Sequence, residues 1–237
     1  NCNRPVNEVS FAMVHNAMSS RDNLFGGYNN LLGLEDALVK GYRGLMLDSC
    51  ICDGSLGETL QGFIKGEDNK GDNYHGLCHT SCDAGVRDPS VVFGNIKTFL
   101  DVNPREVMII EFEVNDNSLA ELHTAIDDSE LDTYVLTEKG GESWPTIQQM
   151  IDSNKRLLLF AHGDGIESCY IEGATCPEGI FYTFDHFEQT NWNDETCDIK
   201  GVPRAEPMDF FLMNHWLNND ADLPSQENAE RFNTYNS

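Results

Sequence analysis

Short, almost purely apolar runs that alternate with helix-like segments constrain the fold of this chain more than any other feature. The clearest runs are GLMLD at 44–48, VMIIEFEV at 107–114 and RLLLFA at 156–161. Such runs predict strands buried on both faces, as in a parallel sheet covered by helices. Apolar spacing and capping residues predict helices between them, at 31–40, 88–102, 119–127 and 144–153. The sequence therefore predicts an α/β fold.

The number of predicted strands narrows the architecture. Seven are expected, at 9–14, 44–48, 76–79, 107–114, 156–161, 180–184 and 210–213. A closed TIM-type (β/α) barrel needs eight strands, so we expect a barrel that is distorted or incomplete. The chain has 237 residues and neither a repeat nor a linker, which favours a single domain over 1–237. The glycine- and charge-rich stretch 55–74 is predicted to be a surface insertion.

The net charge excludes several partners. Fifteen basic and 40 acidic residues give a formal charge of −25. A surface this acidic lacks the basic footprint that nucleic acids and anionic membranes require. No apolar run approaches the ~20 residues of a membrane span, so we expect no transmembrane segment. The sequence does not indicate the oligomeric state.

The eight cysteines predict disulfides and an extracellular protein, because an even set of this size is typical of oxidising compartments. The chain starts at Asn1 without a signal peptide, as a mature secreted protein would. The nearest plausible pairs are Cys78–Cys82 and Cys169–Cys176. Three pairings stay open for the remaining four cysteines, which are Cys2, Cys50, Cys52 and Cys197.

Polar and titratable residues follow the predicted strands. Side chains at the carboxyl ends of successive barrel strands are typical of an active site. They are His15 and Asn16, Asp48, His79, Glu111 and Glu113, His162 and Asp164, and His215.

The available chemistry is restricted. The chain has no Gly-x-Ser-x-Gly elbow, no Gly-x-Gly-x-x-Gly after a strand and no P-loop, which argues against esterase, dinucleotide and nucleoside-triphosphate chemistry. What remains is a set of hard oxygen ligands, which suit Ca²⁺ or Mg²⁺, and two imidazoles, His15 and His79. A metal ion with two acid/base histidines is suited to cleaving a phosphodiester.

Several ordered segments resemble one known family. They are SFAMVHNAMS (10–19), GYRGLMLD (41–48), LCHTSC (77–82), TFLDVNPREVMIIEFE (98–113), WPTIQQMIDSNKRLLLF (144–160) and FLMNHW (211–216). Together they are similar to the phosphatidylinositol-specific phospholipase C X-domain superfamily, and most similar to its secreted members in fungi and other microbial eukaryotes. The resemblance implies a distorted, incomplete TIM barrel and a phosphodiesterase with two catalytic histidines, His15 and His79.

The resemblance also implies a metal site. Asn16, Asp48 and Glu113 match three ligands of the Ca²⁺-dependent members, which implies Ca²⁺ or Mg²⁺ as the cofactor. Met46 replaces a fourth ligand, a glutamate, and Cys50 stands where metal-independent members have an arginine. We therefore expect a weaker site, with Glu111 as a substitute ligand if it faces the same cavity.

The second histidine has two candidates. Tyr74-His75-Gly76 resembles the animal enzymes, whereas the longer LCHTSC motif of the secreted group favours His79. Four further residues are weaker candidates for contacts to the substrate: Glu111, His162, Asp164 and His215.

Three functions are consistent with these residues. The first is a secreted, metal-assisted phosphodiesterase acting on a phosphoinositide lipid or a glycosyl-phosphoinositide. The second is a phosphodiesterase of the glycerophosphodiester or sphingomyelinase D type, although Met46 breaks the metal pair that such enzymes use. The third is a non-catalytic secreted binding protein that has kept the barrel.

Overall fold

A computed structural model describes residues 2–53, 73–141, 143–166, 169, 176–191, 198–199, 208–214, 225, 227–228 and 230. The chain divides into two compact units, Asn1–Tyr182 and Thr183–Ser237, and each is described by itself. The single domain therefore stays a prediction. Most of the predicted insertion at 55–74 lies outside the described residues.

Among the described residues, the first unit has seven strands and four α-helices. The strands are β1 (Met13–Val14), β2 (Gly44–Cys52), β3 (Tyr74–Cys78), β4 (Val86–Arg87), β5 (Met108–Val114), β6 (Leu157–Gly163) and β7 (Ile180–Tyr182). The helices are α1 (Leu34–Val39), α2 (Pro89–Val102), α3 (Leu119–Asp128) and α4 (Ile147–Ser153). The α/β alternation that the sequence predicts is confirmed.

The seven strands form one mixed sheet in the order β4-β3-β2-β5-β6-β7, with β1 also paired to β2. Strands β1, β2, β5, β6 and β7 are parallel, as predicted. The expectation that the strand at 76–79 joins a parallel sheet is wrong, because β3 runs antiparallel to β2. The reason is that β2 continues beyond the predicted end at 48 as far as Cys52. Strand β3 then pairs back along this extension, from Cys52↔Tyr74 to Ser49↔Leu77.

Barrel closure is not seen within the described residues. The described part of the second unit has a short helix, α5 (Thr183–His186), and two parallel strands, β8 (Phe187–Gln189) and β9 (Phe210–Leu212). The run predicted at 210–213 forms β9, which pairs with β8 in a separate two-stranded sheet. Strand β8 was not predicted, since its three residues are too short to show a period.

Local sequence explains where the helices begin. Asp88 caps α2 by accepting a hydrogen bond from the Ser90 amide at 2.9 Å, and Pro89 occupies the first turn, as predicted. Helix α4 begins at Ile147, after a capping box in which Thr146 and Gln149 satisfy each other's amides. Within the described part of the chain, no helix has the length and hydropathy to cross a membrane.

The two faces of the central strands differ in composition. On the face that packs against the helices, buried apolar residues form part of the main hydrophobic core. Among them are Leu45 and Leu47 of β2 and Phe112 of β5. Because side chains alternate along a strand, Asp48 and Glu113 point to the opposite face. That face carries the polar groups of the site.

Three disulfides occur among the described residues: Cys50–Cys78, Cys52–Cys82 and Cys169–Cys176. The predicted Cys169–Cys176 bridge is confirmed, whereas the predicted Cys78–Cys82 bridge is wrong. The antiparallel pairing of β2 with β3 is the cause, because it brings Cys50 and Cys52 alongside the 78–82 segment. Cys2 forms no disulfide within the described residues, and Cys197 lies outside them.

Candidate active site

His15 is presented by an abrupt turn at the end of β1. The strand pairs with Gly44 and Leu45 of β2, and the chain then turns at Asn16, whose φ is +46°. Asparagine is one of the few residues other than glycine that adopts this left-handed conformation readily. The Ala17 amide then donates to the Met46 carbonyl at 2.8 Å, which fixes the turn against β2.

A loop segment at 29–30 holds this turn in place. The Asn30 side chain donates to the carbonyl oxygens of His15 and Asn16, both at 3.0 Å, and to that of Ser19 at 3.3 Å. The Asn30 amide also donates to the Ser19 carbonyl at 3.0 Å. The backbone that carries His15 is therefore held by a side chain that the sequence analysis missed.

His79 comes immediately after β3. The next residue, Thr80, has a φ of +63°, a conformation that is unfavourable for a β-branched side chain. Its hydroxyl donates to the His79 carbonyl at 2.6 Å. Both histidines thus directly precede a residue in the left-handed region, and strain of this kind is concentrated at functional sites.

One amide joins the two imidazoles. The Asn29 Nδ2 lies 3.0 Å from His79 Nδ1, and the side chains of Asn29 and His15 are also hydrogen-bonded. Two histidines that are 64 positions apart in the sequence are therefore brought to a common partner. Sequence reasoning missed Asn29, because an asparagine pair in a loop shows no period and matches no motif.

His75, the other candidate, has different surroundings. Its Nε2 lies 2.9 Å from the hydroxyl oxygen of Ser49, which in turn lies 2.7 Å from the Ser118 hydroxyl oxygen. Burial lowers its pKa, while the negative charges of Glu121 and Asp88 act in the opposite direction. The geometry therefore places His79, rather than His75, with His15.

Three carboxylates lie on the same face of β2 and β5. Asp48 is opposite Glu113 in the register, and Met46 is opposite Glu111. Asp48 is buried, with 7% of the residue exposed, and Glu111 is buried, with 4% exposed, whereas Glu113 is exposed. Burial, and then the negative charges of Glu113 and Glu111, raise the pKa of Asp48 well above its usual range.

The neighbouring strand contributes an imidazole to this face. His162 of β6 is next to Glu113 in the register, and its Nδ1 lies 3.3 Å from Glu111 Oε1. The other oxygen of Glu111, Oε2, is buried and has no hydrogen-bond partner among the described residues. Asp164 is exposed, and His215 lies outside the described residues.

Burial and charge also set the protonation of the two histidines. Burial, followed by the nearby His79, lowers the pKa of His15 to about 4, and the hydrogen bond with Asn29 opposes this. Burial lowers the pKa of His79 as well, and the negative charge of Glu113 opposes it. His15 is therefore uncharged near neutral pH and can accept a proton.

Six of the predicted site residues form one connected group in the first unit. Charge interactions and one close contact link these residues in pairs. The six are His15, His79, Asp48, Glu111, Glu113 and His162. Asn16 adjoins His15 and is buried. The carboxylate oxygens of Asp48, Glu111 and Glu113 do not all lie within 4.8 Å of one another.

Comparison with known proteins gives one family match. The family described as PI-PLC_X (PI-PLC X 1) matches residues 60–237, well over half of the chain. His79 and both glutamates of β5 lie within the matched segment, whereas His15 precedes it.

Individual proteins match more of the chain. A PI-PLC X domain-containing protein 1 of Arthroderma benhamiae is 26% identical over an alignment of 229 residues, which covers 92% of this chain and 66% of that protein. A PI-PLC X domain-containing protein of Arabidopsis thaliana is 25% identical over an alignment of 236 residues, which covers 90% of this chain and 49% of that protein. The chain thus spans less than two thirds of the length of either relative.

A solved structure shares the fold. It is a phosphatidylinositol-specific phospholipase C from Listeria monocytogenes, and it aligns with all of this chain and 96% of its own at a TM-score of 0.52. The sequences are 12% identical, so the likeness concerns the fold alone.

Proposed function

The chain belongs to the PI-PLC X family, and on that premise we propose that it is a phosphodiesterase that uses His15 and His79 as an acid/base pair. The observation that carries the proposal is the Asn29 amide, which contacts both imidazoles beside the acidic face of β2 and β5. Two imidazoles held at one point, one to accept a proton and one to donate a proton, are what such a reaction needs.

The substrate class we propose is a phosphoinositide lipid or a glycosyl-phosphoinositide. In the reaction, a ring hydroxyl next to the phosphodiester attacks phosphorus. His15 takes the hydroxyl proton, and His79 supplies a proton to the leaving oxygen as the P–O bond breaks. The products are a cyclic inositol phosphate and a free alcohol. The substrate contacts expected of Glu111, His162, Asp164 and His215 stay predictions.

We include a divalent cation, Ca²⁺ or Mg²⁺, in the proposal. The donor set fits such an ion, because the Asp48 and Glu113 carboxylates and the Asn16 amide are hard oxygen ligands. The raised pKa of Asp48 and the unpaired Oε2 of Glu111 also favour a positive charge at this face. A bound ion would offset the charge of the substrate phosphate.

We also propose that the protein acts outside the cell and that its fold is a distorted or incomplete TIM-type barrel. Three disulfides among the described residues support an oxidising compartment. The structural likeness to a phosphatidylinositol-specific phospholipase C supports the barrel.

The direct test is an assay of product identity on phosphatidylinositol vesicles and on a glycosyl-phosphoinositide. We expect a cyclic inositol phosphate from wild type and from His123→Ala, a control that changes a histidine on α3. We expect almost none from His79→Ala. A non-cyclic phosphate product would favour the glycerophosphodiester or sphingomyelinase D alternative. Equal, background-level turnover by all three proteins would favour a binding role.

The cation is tested separately, by calorimetric titration of Ca²⁺ and Mg²⁺ into chelator-treated protein. Wild type should bind one ion, and Asp48→Asn should bind it far more weakly. Excess chelator should abolish turnover and added ion should restore it. Full turnover in chelator, with no heat of binding, would show that the histidines work without a metal.

A further inference from the structure

The two disulfides that join β2 to the end of β3 and to the segment after it lie side by side. Cys50 is paired with Cys78, and Cys52 is paired with Cys82. The Sγ atoms of Cys50, Cys78 and Cys82 all lie within 4.8 Å of one another, and those of Cys50 and Cys82 are 3.8 Å apart. A sulfur of one disulfide therefore lies close to both sulfurs of the other.

The four cysteines differ in their access to solvent. Cys50, Cys52 and Cys78 are buried, with at most 4% of each residue exposed, whereas Cys82 is only partly buried. Thiol–disulfide exchange begins when an outside thiolate reaches one sulfur of a disulfide, so access decides which bond is attacked first. The Cys52–Cys82 bridge can thus be attacked at Cys82, and the Cys50–Cys78 bridge is protected.

We propose that Cys82 is a redox site at which a small dithiol rearranges the cross-links beside His79 and so switches the enzyme off. The inference rests on the proposed phosphodiesterase function, and it adds a regulation of that site. The reductant is identified only by its chemistry, which is that of a dithiol able to close its own disulfide ring.

The exchange takes three steps, each an attack by a thiolate on a disulfide sulfur. A thiolate of the reagent attacks Cys82 and displaces Cys52. The second thiolate of the reagent closes a cyclic disulfide and displaces Cys82. The Cys82 thiolate then attacks Cys50, 3.8 Å away, and displaces Cys78. The protein is left with a Cys50–Cys82 disulfide and with two thiols, at 52 and 78, that carry the two protons lost by the dithiol.

The last of these steps is intramolecular. The Cys82 thiolate is held beside the Cys50–Cys78 bridge, at an effective concentration that an outside reagent does not reach. Burial of both sulfurs of that bridge also keeps a second dithiol away from it. Exchange should therefore precede full reduction.

Exchange changes the anchors on both sides of His79. Cys78, the residue before it, loses its cross-link. Cys82, three residues after it, is tied to Cys50 instead of Cys52, which moves its anchor by two residues along β2. A displacement of about 1 Å can cost ~10²-fold in rate, so we expect the exchanged form to lose most of its turnover.

A neighbouring loop couples the same segment to the site. Cys82 begins a turn that ends at Ala84, and the Ala84 carbonyl accepts a hydrogen bond from the Gly26 amide. Asn29 follows in that loop and contacts His79 Nδ1 at 3.0 Å. A shift of the turn would therefore disturb the imidazole from two directions.

The first test needs no substrate. Wild type is treated with one equivalent of dithiothreitol, quenched in acid and alkylated, and its disulfides are mapped by mass spectrometry against an untreated sample. We expect a Cys50–Cys82 cross-link, with Cys52 and Cys78 newly alkylated. The Cys169–Cys176 bridge is the internal control, because among the described residues its sulfurs belong to no such cluster. Any reduction there should give two thiols and no new pairing.

The second test compares two double variants that each lose two cysteines of the cluster. Cys52→Ser/Cys78→Ser can form only the exchanged Cys50–Cys82 bridge, and its kcat should fall roughly 10²-fold. Cys50→Ser/Cys78→Ser keeps the Cys52–Cys82 bridge, and its kcat should stay within a few-fold of wild type. If the first variant does not fold, turnover of dithiol-treated wild type decides the same point, with the same loss expected.

Three results would overturn the inference. Newly alkylated Cys52 and Cys82, with the Cys50–Cys78 bridge intact, would mean reduction without exchange. Newly alkylated Cys50 and Cys78 would mean that the buried bridge opens first. An exchanged protein with wild-type turnover would mean that the rearrangement does not control the site. Expected exchange in a protein whose oxidised form has no turnover would instead reject the proposed function and leave the redox site in place.

Discussion

The two faces of the central strands have the same backbone and opposite chemistry. On the helix side, Leu47, Phe112 and Ala161 are buried among other apolar side chains. One residue along each strand, Asp48, Glu113 and His162 form a row on the opposite face. The residues of the first row are stabilised by apolar packing. The second row contains the carboxyl group of Asp48, whose burial disfavours its charged form.

This difference shows how a strand separates stability from chemistry. Because side chains alternate between the two faces of a strand, adjacent residues lie in different surroundings. Substitutions on the apolar face should act on unfolding, and substitutions on the polar face should act on turnover.

The largest effect is expected when a histidine of the polar face is removed. His15→Ala and His79→Ala should each lose ~10²–10⁴-fold in kcat, because general acid/base residues contribute on this scale. Their urea-unfolding midpoints should stay near that of wild type. If His79→Ala keeps full activity and His75→Ala loses it, the second catalytic histidine has been assigned wrongly.

The next effect belongs to the apolar face. Phe112 is fully buried and makes an edge-to-face contact with Phe93, with the ring centroids 6.0 Å apart. Phe112→Ala should lower the free energy of unfolding by about 3–5 kcal/mol, the usual cost of such a cavity. Urea denaturation measures this.

The matched variant for that experiment is Glu111→Gln, one residue earlier on the opposite face. It should unfold close to wild type. Under conditions in which both proteins are folded, Phe112→Ala should keep most of its turnover. A Phe112→Ala protein that is as stable as wild type would contradict the division between the faces.

The pH dependence of stability tests the burial of His15. Its pKa is about 4 in the folded protein against 6.5 when unperturbed, so the unfolded chain binds the proton first as the pH falls. Stability is therefore complete above about pH 6.5 and is lost between 6.5 and 4, by roughly 3 kcal/mol. Urea melts in chelator should show this loss in wild type and a smaller one in His15→Gln. Identical pH profiles would contradict it.

The smallest effect is a gain in stability. Because burial and two neighbouring acids raise the pKa of Asp48, the unfolded chain ionises this group more easily, and folding is penalised above its usual pKa. Asp48→Asn should therefore be more stable than wild type at pH 7 in chelator, by ~1 kcal/mol. Excess Ca²⁺ should cancel the gain. A variant that is less stable than wild type in chelator would show that Asp48 has a favourable partner.

Much of the fold could be predicted from the sequence. The parallel strands at 107–114 and 156–161 were found within two residues of their bounds, since buried parallel strands are continuous apolar runs. The Asp88-Pro89 start of α2 was predicted because capping chemistry is local. The partners of Cys78 and Cys82 were not predicted, because they depend on the direction of β3, which is a property of pairing rather than of composition.

Some residues of the candidate site could likewise be predicted from the sequence, and others could not. His15 and His79 carry motifs and were found, although the reasoning that placed His79 at the end of a parallel strand was wrong. His79 lies at about the same height in the sheet as Asp48, because β2 is long and β3 pairs back along it in the antiparallel direction. Asn29 and Asn30 act through side-chain hydrogen bonds from a loop, so only coordinates reveal them.

The paired disulfides have a consequence for how this chain can vary in length. Cys50–Cys78 and Cys52–Cys82 close loops of 28 and 30 residues, and the stretch between Asp53 and Asn73 lies inside both. In the chain-entropy view, closing a loop of this size is worth roughly 3–4 kcal/mol, and its cost grows only slowly with further length. Insertions or deletions within the stretch should therefore leave His79 where it is, since the cross-links anchor both ends of the hairpin. The stretch expected to tolerate indels best is thus joined at one end to the strand of Asp48 and at the other end to the strand that precedes His79.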